Sequence, residues 1–341
     1  MKGFIRAVVG LTIILLTLAA GGVFLLAAPL PGAPSQIQGV SFSAPHASGI
    51  GLNWQQTYIA VLDDLGVRRL RLSAYWDVTE PQKDMFSFAD LDFQMDEAAS
   101  RGAHVILGVG RKLPRWPECH DPQWAAELTE QAKQQEVLEL VEATVERYKG
   151  HPALAMWQLE NEPLLKFGIC PPQDRQFLMQ EEVLVRSLDP DHPILMTDSG
   201  ELNWWLDASS FGDVLGTTMY RTVFSEKTLK QFSYDYIFPS WLYRLKSRYV
   251  RLLRGNEVLI SELQGEPWGS QPFPQMSAQE REQSFSPERF LDNWDFAQRT
   301  QLPSAYWWGV EYWYWEKEIN GDGRYWEIAK EVFARNNKKN N

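Results

Sequence analysis

The chain has 341 residues and a formal net charge of −11, and its basic residues form no evident cluster. This composition argues against a nucleic-acid partner, because phosphate binding requires a basic surface. Aromatic residues are abundant, with 15 Trp, 17 Phe and 12 Tyr, which indicates a well-filled core or a groove lined with aromatic rings. No linker, charge block or internal repeat divides the sequence, so we expect one large domain.

The amino terminus has the pattern of an export signal. Lys2 and Arg6 precede an uncharged, mostly apolar run from Ala7 to Leu30. The run exceeds the ~7–15 residues of a signal-peptide core and approaches the ~20 that span a bilayer. We therefore expect a retained membrane anchor, with Lys2 and Arg6 in the cytoplasm and the rest of the chain outside it. Small residues near Ala27 keep open the alternative of cleavage and secretion.

From residue 37 onward, short apolar segments alternate with helical patterns. The strand candidates, in chain order, are IQGVSFS, RLRLSAYW, AHVILGVG, LAMWQLEN, PILMTDS, DVLGTTMY, EVLISEL and SAYWWGVEY. Each is followed by a helix candidate, including a short one near 201–208 and a last one near 323–336. Repeated β-then-α units imply parallel strands, and eight units in a chain of this length predict a closed (β/α)₈ TIM barrel.

An open doubly wound sheet is the alternative fold, but no Gly-rich G-x-G-x-x-G turn follows the first strand. The predicted layout is an anchor or signal at 1–30, a linker at 31–36, the barrel at 37–336 and a disordered tail at 337–341.

Two glutamates end strands that are three units apart in the predicted barrel. Glu162 lies at the carboxyl end of the fourth strand in WQLENEP, and Glu262 lies at the carboxyl end of the seventh in ISELQGEPW. Carboxyl ends of barrel strands meet at one mouth, so the two carboxyl groups would converge there. A facing pair of carboxyl groups is what glycoside hydrolysis requires. The alternative is that each glutamate caps a loop or pairs with an arginine.

The same segments resemble a known enzyme group. WQLENEP looks like the strand-four motif of the retaining glycosidases of glycoside hydrolase clan A, and ISELQGEPW looks like their strand-seven segment. RLSAYWDVTEPQKDMFSFADLD and HVILGVGRKLPRWP are similar to segments of family 42 β-galactosidases and family 5 cellulase-type enzymes. The resemblance covers most of residues 37–334. It implies a TIM-barrel enzyme that hydrolyses O-glycosyl bonds.

The resemblance also implies roles for individual residues. Glu162 would be the acid/base, Glu262 the nucleophile, and Asn161 would hold the sugar 2-hydroxyl. Arg71 and Tyr220 would hydrogen-bond the nucleophile. The pattern of RRLRLSA agrees for Arg71, because its apolar neighbours share the other face of the strand and leave Arg71 inside the barrel, where it needs a carboxylate partner.

Other acidic residues compete for these roles. Glu160 lies two positions before Glu162, so a strand periodicity of two cannot separate them, and only the Asn-Glu-Pro resemblance favours Glu162. We expect Glu266 to line an outer subsite or pair with a cation. Glu80 and Glu311 also lie near strand ends, but a mechanism with two carboxylates needs neither.

Several tryptophans are candidates for stacking against sugar rings. Trp307 and Trp308 are adjacent in the last strand, so only one can face the mouth, and we favour Trp308 as a sugar platform. Trp76, Trp116 and Trp268 each follow a strand and are further groove candidates. Core packing is the alternative for all of them.

The sequence implies no cofactor and no metal, because the five His form no H-x-H or H-E-x-x-H pair. The only two cysteines, Cys119 and Cys170, follow strands three and four, and we expect them to form a disulfide in an exported protein.

The sequence therefore predicts a retaining β-glycosidase outside the cytoplasmic membrane, with a carbohydrate substrate and a membrane contact through its amino terminus. A non-catalytic glycan-binding or sensor barrel is one alternative. A transglycosylase that uses the same residues is another.

Overall fold

The computed structural model describes residues 12, 17, 21–32, 36–171, 174–225 and 227–340. The strands are β1 (Ile37–Ser41), β2 (Arg69–Ser73), β3 (His104–Val109), β4 (Leu154–Leu159), β5 (Ile194–Asp198), β6 (Val214–Met219), β7 (Thr222–Ser225), β8 (Lys230–Ser233), β9 (Glu257–Gln264) and β10 (Ser304–Trp308). Eight of them are parallel and close into a barrel with the order β1-β10-β9-β6-β5-β4-β3-β2, and β7 and β8 form a separate two-stranded sheet. The predicted TIM barrel is confirmed.

Helices surround the barrel on its outer side. They are α1 (Ala44–Gly49), α2 (Trp54–Asp63), α3 (Trp76–Thr79), α4 (Ala89–Ser100), α5 (Glu130–Tyr148), α6 (Arg175–Leu188), α7 (Ser240–Arg254), α8 (Ala278–Ser284), α9 (Pro287–Thr300), α10 (Val310–Ile319) and α11 (Arg324–Asn340). Side-chain oxygens accept hydrogen bonds from backbone N–H groups where several of these helices begin, which satisfies donors that have no partner within the helix. The capping residues include Asn53, Thr129, Asp174 and Ser286.

A small apolar cluster fills the barrel interior below the mouth. Ile106, Leu195, Leu259 and Tyr306 are all buried there, one from each of four strands. Gly39 on β1 makes room for the tyrosine, because an added Cβ would lie 2.7 Å from Tyr306 Cδ1. The larger core lies between the strands and the helices and contains several fully buried tryptophans. The interior is therefore packed, and open space is left to the mouth.

The structure differs from the sequence expectation in four elements. The helix expected near 201–208 is wrong, and only a short 3₁₀ turn, Ala208–Ser210, follows β5. The antiparallel pair β7-β8 was not expected. The segment SAYWWGVEY is not all strand, because β10 ends at Trp308 and Gly309, with φ of 117°, leads directly into α10. Helix α11 extends to Asn340, into the range for which a disordered tail was expected.

Most of the expected membrane anchor at 1–30 lies outside the described residues. Residues 21–27 are helical. Among the described residues, we find no helix with the length and apolar character needed to cross a bilayer. The anchor itself stays a prediction.

The expected disulfide is present. Cys119 and Cys170 are bonded, and their Cα atoms lie 5.4 Å apart. The bond joins the loop after β3 to the loop after β4, and Ile169 N donates a hydrogen bond of 2.9 Å to Pro117 O beside it. Gly168 packs so closely there that an added Cβ would lie 2.6 Å from Glu118 Cβ. The two loops are therefore held together at the mouth.

We expect the Cys119→Ser/Cys170→Ser variant to unfold more easily than the wild type. The bond closes a segment with a sequence separation of 51. A loop of that size contributes about 4 kcal/mol to the free energy of unfolding in the chain-entropy model. Urea denaturation without reductant measures the difference, and reduced wild-type protein is the control that should match the variant. Equal urea midpoints for the oxidised wild type and the variant would contradict this prediction.

Candidate active site

The buried guanidinium of Arg71 organises the mouth of the barrel. Its Nη1 donates to Glu262 Oε1 at 2.8 Å, and its Nη2 donates to Asn161 Oδ1 at 2.8 Å. Its Nε donates to Gln158 Oε1 at 2.6 Å. Arg71 is only 2% exposed and Glu262 4%, so the pair is almost completely removed from water. The expectation that Arg71 lies inside the barrel beside a carboxylate is confirmed.

Tyr220, directly after β6, approaches the other oxygen of the same carboxylate. Its hydroxyl donates to Glu262 Oε2 at 2.8 Å. Burial, followed by the charge of Glu262, raises the pKa of Tyr220 well above its ordinary value, so the hydroxyl stays protonated and can donate. Both oxygens of Glu262 therefore accept a hydrogen bond, and the carboxylate is held in one orientation.

Glu162 lies in a different environment, in which no cation among the described residues forms an ion pair with its carboxyl group. Thr218 Oγ1 donates to Glu162 Oε1 at 3.3 Å, and the nearby Lys112 Nζ donates to backbone carbonyls instead. Burial, together with the charges of Glu262 and Glu118, raises the pKa of Glu162 well above its ordinary value. The surroundings of Glu162 therefore favour its protonated form, in the same site in which Glu262 is paired with Arg71.

The backbone around Glu162 is held in a conformation that few non-glycine residues adopt. Glu160 and Glu162 both have positive φ, 55° and 44°. The N–H of Glu162 donates to Thr197 Oγ1 at 2.7 Å, so a side chain on β5 holds the backbone of Glu162 in place. Left-handed residues of this kind cost of order 1–3 kcal/mol each and cluster at functional sites.

This backbone also separates Glu160 from Glu162, which sequence periodicity could not do. The strand ends at Leu159, so the alternation of side chains stops before both glutamates. The carboxyl group of Glu160 turns to the loop after β3 and accepts from the N–H groups of Arg111 and Lys112 at 2.8 and 2.5 Å. The expectation that the two glutamates share a face is wrong, and Glu160 supports the neighbouring loop.

Asn161 lies between the two halves of the site. Its Oδ1 accepts from Arg71, and its Nδ2 donates to Glu118 Oε2 at 3.0 Å. The arginine cannot accept a hydrogen bond, so it fixes which end of the amide is the oxygen. One N–H of the amide is committed to Glu118, and the second is left for a ligand.

Glu118 is a third carboxyl group that the sequence reasoning missed. It is buried in the loop after β3, with φ of 75°. Burial raises the pKa of Glu118 to about 8, although the hydrogen bond from the amide of Asn161 lowers this pKa. The sequence did contain a sign of its location, because Glu118 precedes Cys119. A disulfide expected at the mouth places the residues next to each cysteine at the mouth as well. Gln158 was missed as well, although a glutamine on the inner face of a buried strand is a sign of a polar network.

Arg115 occupies the side of the mouth near β10. It donates to Glu266 at 2.6 Å and to Glu311 at 2.8 Å, so the expectation that Glu266 pairs with a cation is met. Its guanidinium carbon lies 4.0 Å from the ring centroid of Trp308. Trp308 is on the mouth side, whereas Trp307 is fully buried. Arg115 covers one face of Trp308, which leaves at most one face for a sugar.

Trp76 is not a groove residue, and that expectation is wrong. It is fully buried, and its Nε1 donates to Glu80 Oε2 at 2.9 Å. The chain enters α3 at Trp76 and turns the ring inward against Trp124, with centroids 5.6 Å apart. Glu80 also accepts from the N–H of Asp84, so it supports this turn.

A row of aromatic rings leads outward from the carboxylates. Trp268 lies edge to face with Tyr220 at 5.0 Å, and Phe167 follows at 6.3 Å. Trp116 lies 6.3 Å from Phe167 and is 66% exposed. Trp268 and Trp116 are therefore both placed beside the mouth. A separate cavity of about 340 Å³ lies between α7 and α9, and neither Glu162 nor Glu262 lines it.

Comparisons with known proteins agree with this geometry. Residues 39–242 match the family model described as glycosyl hydrolases family 2, TIM barrel domain. The β-galactosidase Bga of Halorubrum lacusprofundi is 25% identical over 127 residues, which are 32% of this chain and 18% of that enzyme. The chain thus matches less than a fifth of the length of this curated relative.

Solved structures share the fold at low sequence identity. A polyextremophilic β-galactosidase from the Antarctic haloarchaeon Halorubrum lacusprofundi is 17% identical with a TM-score of 0.54, covering 88% of this chain and 58% of that one. Xylanase 10B from Thermotoga petrophila RKU-1, solved with xylobiose, is 16% identical with a TM-score of 0.55, covering 88% and 94%.

We expect Glu118→Gln to stabilise the protein in a pH-dependent way. Because the pKa of Glu118 is about 8 in the fold, the folded state binds more protons than the unfolded state between about pH 4.5 and 8, and wild-type stability falls as pH rises through that window. Glutamine keeps an acceptor for Asn161 and has no charge to bury. The gain should be small at pH 5 and reach at least about 1 kcal/mol at pH 8.

Urea denaturation at pH 5, 6.5 and 8 measures the gain from Glu118→Gln. Glu257→Gln, at an exposed position on β9, is the matched control and should show no such trend. A gain that is constant or falls with pH would show that Glu118 is ionised in the fold.

Proposed function

The chain belongs to the glycosyl hydrolases of family 2, through their TIM barrel domain, and on this premise we propose that it is a retaining β-glycosidase. Glu262 is the nucleophile and Glu162 the acid/base in this proposal. The resemblance to clan A seen in the sequence is confirmed, although the matching family model is that of family 2 and not of families 5 or 42.

One observation carries the proposal. Glu162 and Glu262 lie in one buried site. Glu262 is paired with an arginine, whereas Glu162 is buried beside other carboxyl groups. Glu262 is paired with the guanidinium of Arg71 and accepts from Tyr220, so its carboxylate is held in one orientation for attack. Glu162 is buried beside other carboxyl groups, which raises its pKa and keeps the proton that a leaving group needs. Pairs of titratable groups with opposed environments are the usual basis for assigning acid and nucleophile.

In the first step, a Glu262 oxygen attacks the anomeric carbon and the bond to the leaving oxygen breaks. Glu162 gives its proton to that oxygen, so the aglycone leaves as an alcohol. The sugar is then an ester of Glu262, and Glu162 is a carboxylate. In this proposal the second N–H of Asn161 donates to the sugar 2-hydroxyl, and that hydrogen bond strengthens in the transition state.

In the second step, Glu162 takes a proton from water, and the water oxygen attacks the anomeric carbon. The ester bond to Glu262 breaks, and Glu162 is protonated again. Two inversions give net retention. For direct attack, the carboxyl groups should be roughly 5–5.5 Å apart.

We assign the substrate to β-linked, neutral sugars. The aromatic row of Trp268, Phe167 and Trp116 offers ring faces to the C–H-rich faces of pyranoses beyond the cleaved bond. The β-galactosidases and the xylanase among the relatives act on β-linked glycans by their names, which agrees with this assignment. The apolar run at 1–30 supports a location outside the cytoplasmic membrane, with the barrel anchored or secreted.

Incubation of the protein with a panel of β-linked glycans, with products identified by mass spectrometry, tests this function. Release of a shorter glycan with incorporation of oxygen from ¹⁸O-labelled water supports hydrolysis. Products that are longer than the substrate would instead identify a transglycosylase, and binding without any cleavage would identify a glycan-binding barrel.

Alanine substitutions of the two glutamates should behave differently. Glu262→Ala should lose activity on every substrate, because no ester can form. Glu162→Ala should lose about 10²–10⁴-fold on natural glycosides and keep most of the first step on dinitrophenyl glycosides, whose leaving group needs no proton. Burst and steady-state release of dinitrophenol measures this, with the exposed Glu257→Ala on the same strand as control. Equal losses on both substrate types for Glu162→Ala would contradict its role.

A further inference from the structure

Helix α7 has an unusual outer face. The helix as a whole contains five basic residues and no acidic one, in a chain with a net charge of −11. This cluster was overlooked in the sequence, where no basic surface was expected. Arg251 and Arg254 are exposed, whereas Lys246 is buried. The helix is thus a local cationic surface on an acidic protein.

The side of α7 that faces away from the barrel also exposes large apolar side chains. Trp241, Leu245, Tyr249 and Leu252 recur every three or four residues and lie along one stripe. Leu252 is 70% exposed and Trp241 44%, whereas the opposite side of the helix packs on the barrel. An ordinary barrel helix turns its apolar side inward and its polar side to water. A basic helix with an exposed apolar stripe has the composition of an interfacial helix.

The N-terminal segment extends this surface. Arg248 Nη1 donates to the carbonyl oxygens of Leu25, Leu26 and Ala28, at 3.1, 3.0 and 2.7 Å, and Arg244 Nε donates to Ala27 O at 2.9 Å. The arginines therefore hold the end of the helical residues 21–27 against α7. Several apolar side chains of this segment are exposed beside the helix, namely Val23, Phe24, Leu25 and Leu30.

We propose that α7 and residues 21–30 together form a docking surface for an anionic lipid bilayer. Trp241, Tyr249 and Leu252 enter the interface between head groups and acyl chains. Arg251, at the flank of this stripe, and Arg254, at the exposed end of the helix, have side chains long enough to reach the anionic head groups. Charge complementarity and the apolar residues that precede the segment in the sequence both point to lipid.

A second copy of this chain fits the surface less well. In a two-fold symmetric contact the same patch faces itself, so Arg251 and Arg254 of one copy would approach those of the other. Like charges that face each other destabilise a contact. A nucleic acid would satisfy the arginines but leave the exposed leucines in water.

The surface also sets the orientation of the barrel. Leu30 exchanges two hydrogen bonds with Gln301, which lies just before β10, at the end of the barrel where strands begin. Glu162 and Glu262 lie at the other end. Helix α7 runs along the side of the barrel between these two ends, so a protein docked through it leaves its mouth open to solvent, which suits a soluble or wall-bound glycan.

A fluorescent probe at position 252 tests the proposal directly. The two native cysteines form a disulfide, so Leu252→Cys supplies a single free thiol for an environment-sensitive label. The full chain is combined with vesicles of phosphatidylcholine alone or with one quarter phosphatidylglycerol. We expect a blue shift and quenching by spin-labelled lipid on the anionic vesicles. Leu202→Cys, exposed in the loop after β5 at the mouth end, is the matched control and should stay in water.

Charge variants separate docking by α7 from any insertion of residues 1–20. In the Leu252→Cys background, Arg251→Gln/Arg254→Gln should lower the partition coefficient onto anionic vesicles about 25-fold, since each arginine near the surface contributes a factor of about 5. Arg175→Gln/Arg324→Gln, at exposed arginines elsewhere, should change nothing.

Three results would overturn the proposal. They are a probe at 252 that stays in water on anionic vesicles, equal signals on both kinds of vesicle, and a blue shift without vesicles that grows with protein concentration, which would assign the surface to a second copy. Glycosidase activity in solution is independent of all three, so the proposed function and the docking surface fail separately.

Discussion

A buried arginine requires partners, and the whole mouth of this barrel is arranged around that requirement. Arg71 is removed from water on β2, where an unpaired guanidinium would be very costly, and four residues from other strands or loops accept its hydrogen bonds. Meeting that constraint fixes the carboxylate of Glu262 and the amide of Asn161. The residue after Asn161 is Glu162, so the arginine also determines where the second carboxyl group can lie.

The loops after β3 and β4 complete the site by holding each other in place. The disulfide joins them, Glu160 accepts two N–H groups from the first loop, and Glu118 reaches from it to Asn161. A cluster of buried carboxyl groups destabilises the fold, because each either keeps a proton or remains a buried charge. Strained backbone at residues 160 and 162 adds to that cost. The covalent bond and the packed barrel offset it, which is the usual relation between a stable scaffold and a functional site.

Much of this could be predicted because parallel barrels have simple rules. Strand ends identified Glu162 and Glu262, and a periodicity of two placed Arg71 inside. The rest depended on irregular backbone. Positive φ after β4 turned the side chain of Glu160 away from that of Glu162, and a short helix turned Trp76 inward. A left-handed Gly309 ended the last strand early, within an aromatic run whose composition is typical of a strand. Glu118 lies in a loop whose path no periodicity describes, and the outer face of α7 is evident only once its inner face is known.

The central claim is that Glu262 attacks the sugar while Glu162 carries the proton. Trapping with a 2-fluoro-2-deoxy-β-glycoside that has a good leaving group tests it most directly. The fluorine slows both formation and breakdown of the ester, and the good leaving group keeps formation fast enough for the ester to accumulate. Peptide mapping by mass spectrometry should find one added sugar on the peptide that contains Glu262, and none after Glu262→Ala. Label on Glu162 or Glu118, or a first product of inverted anomeric configuration, would contradict the account.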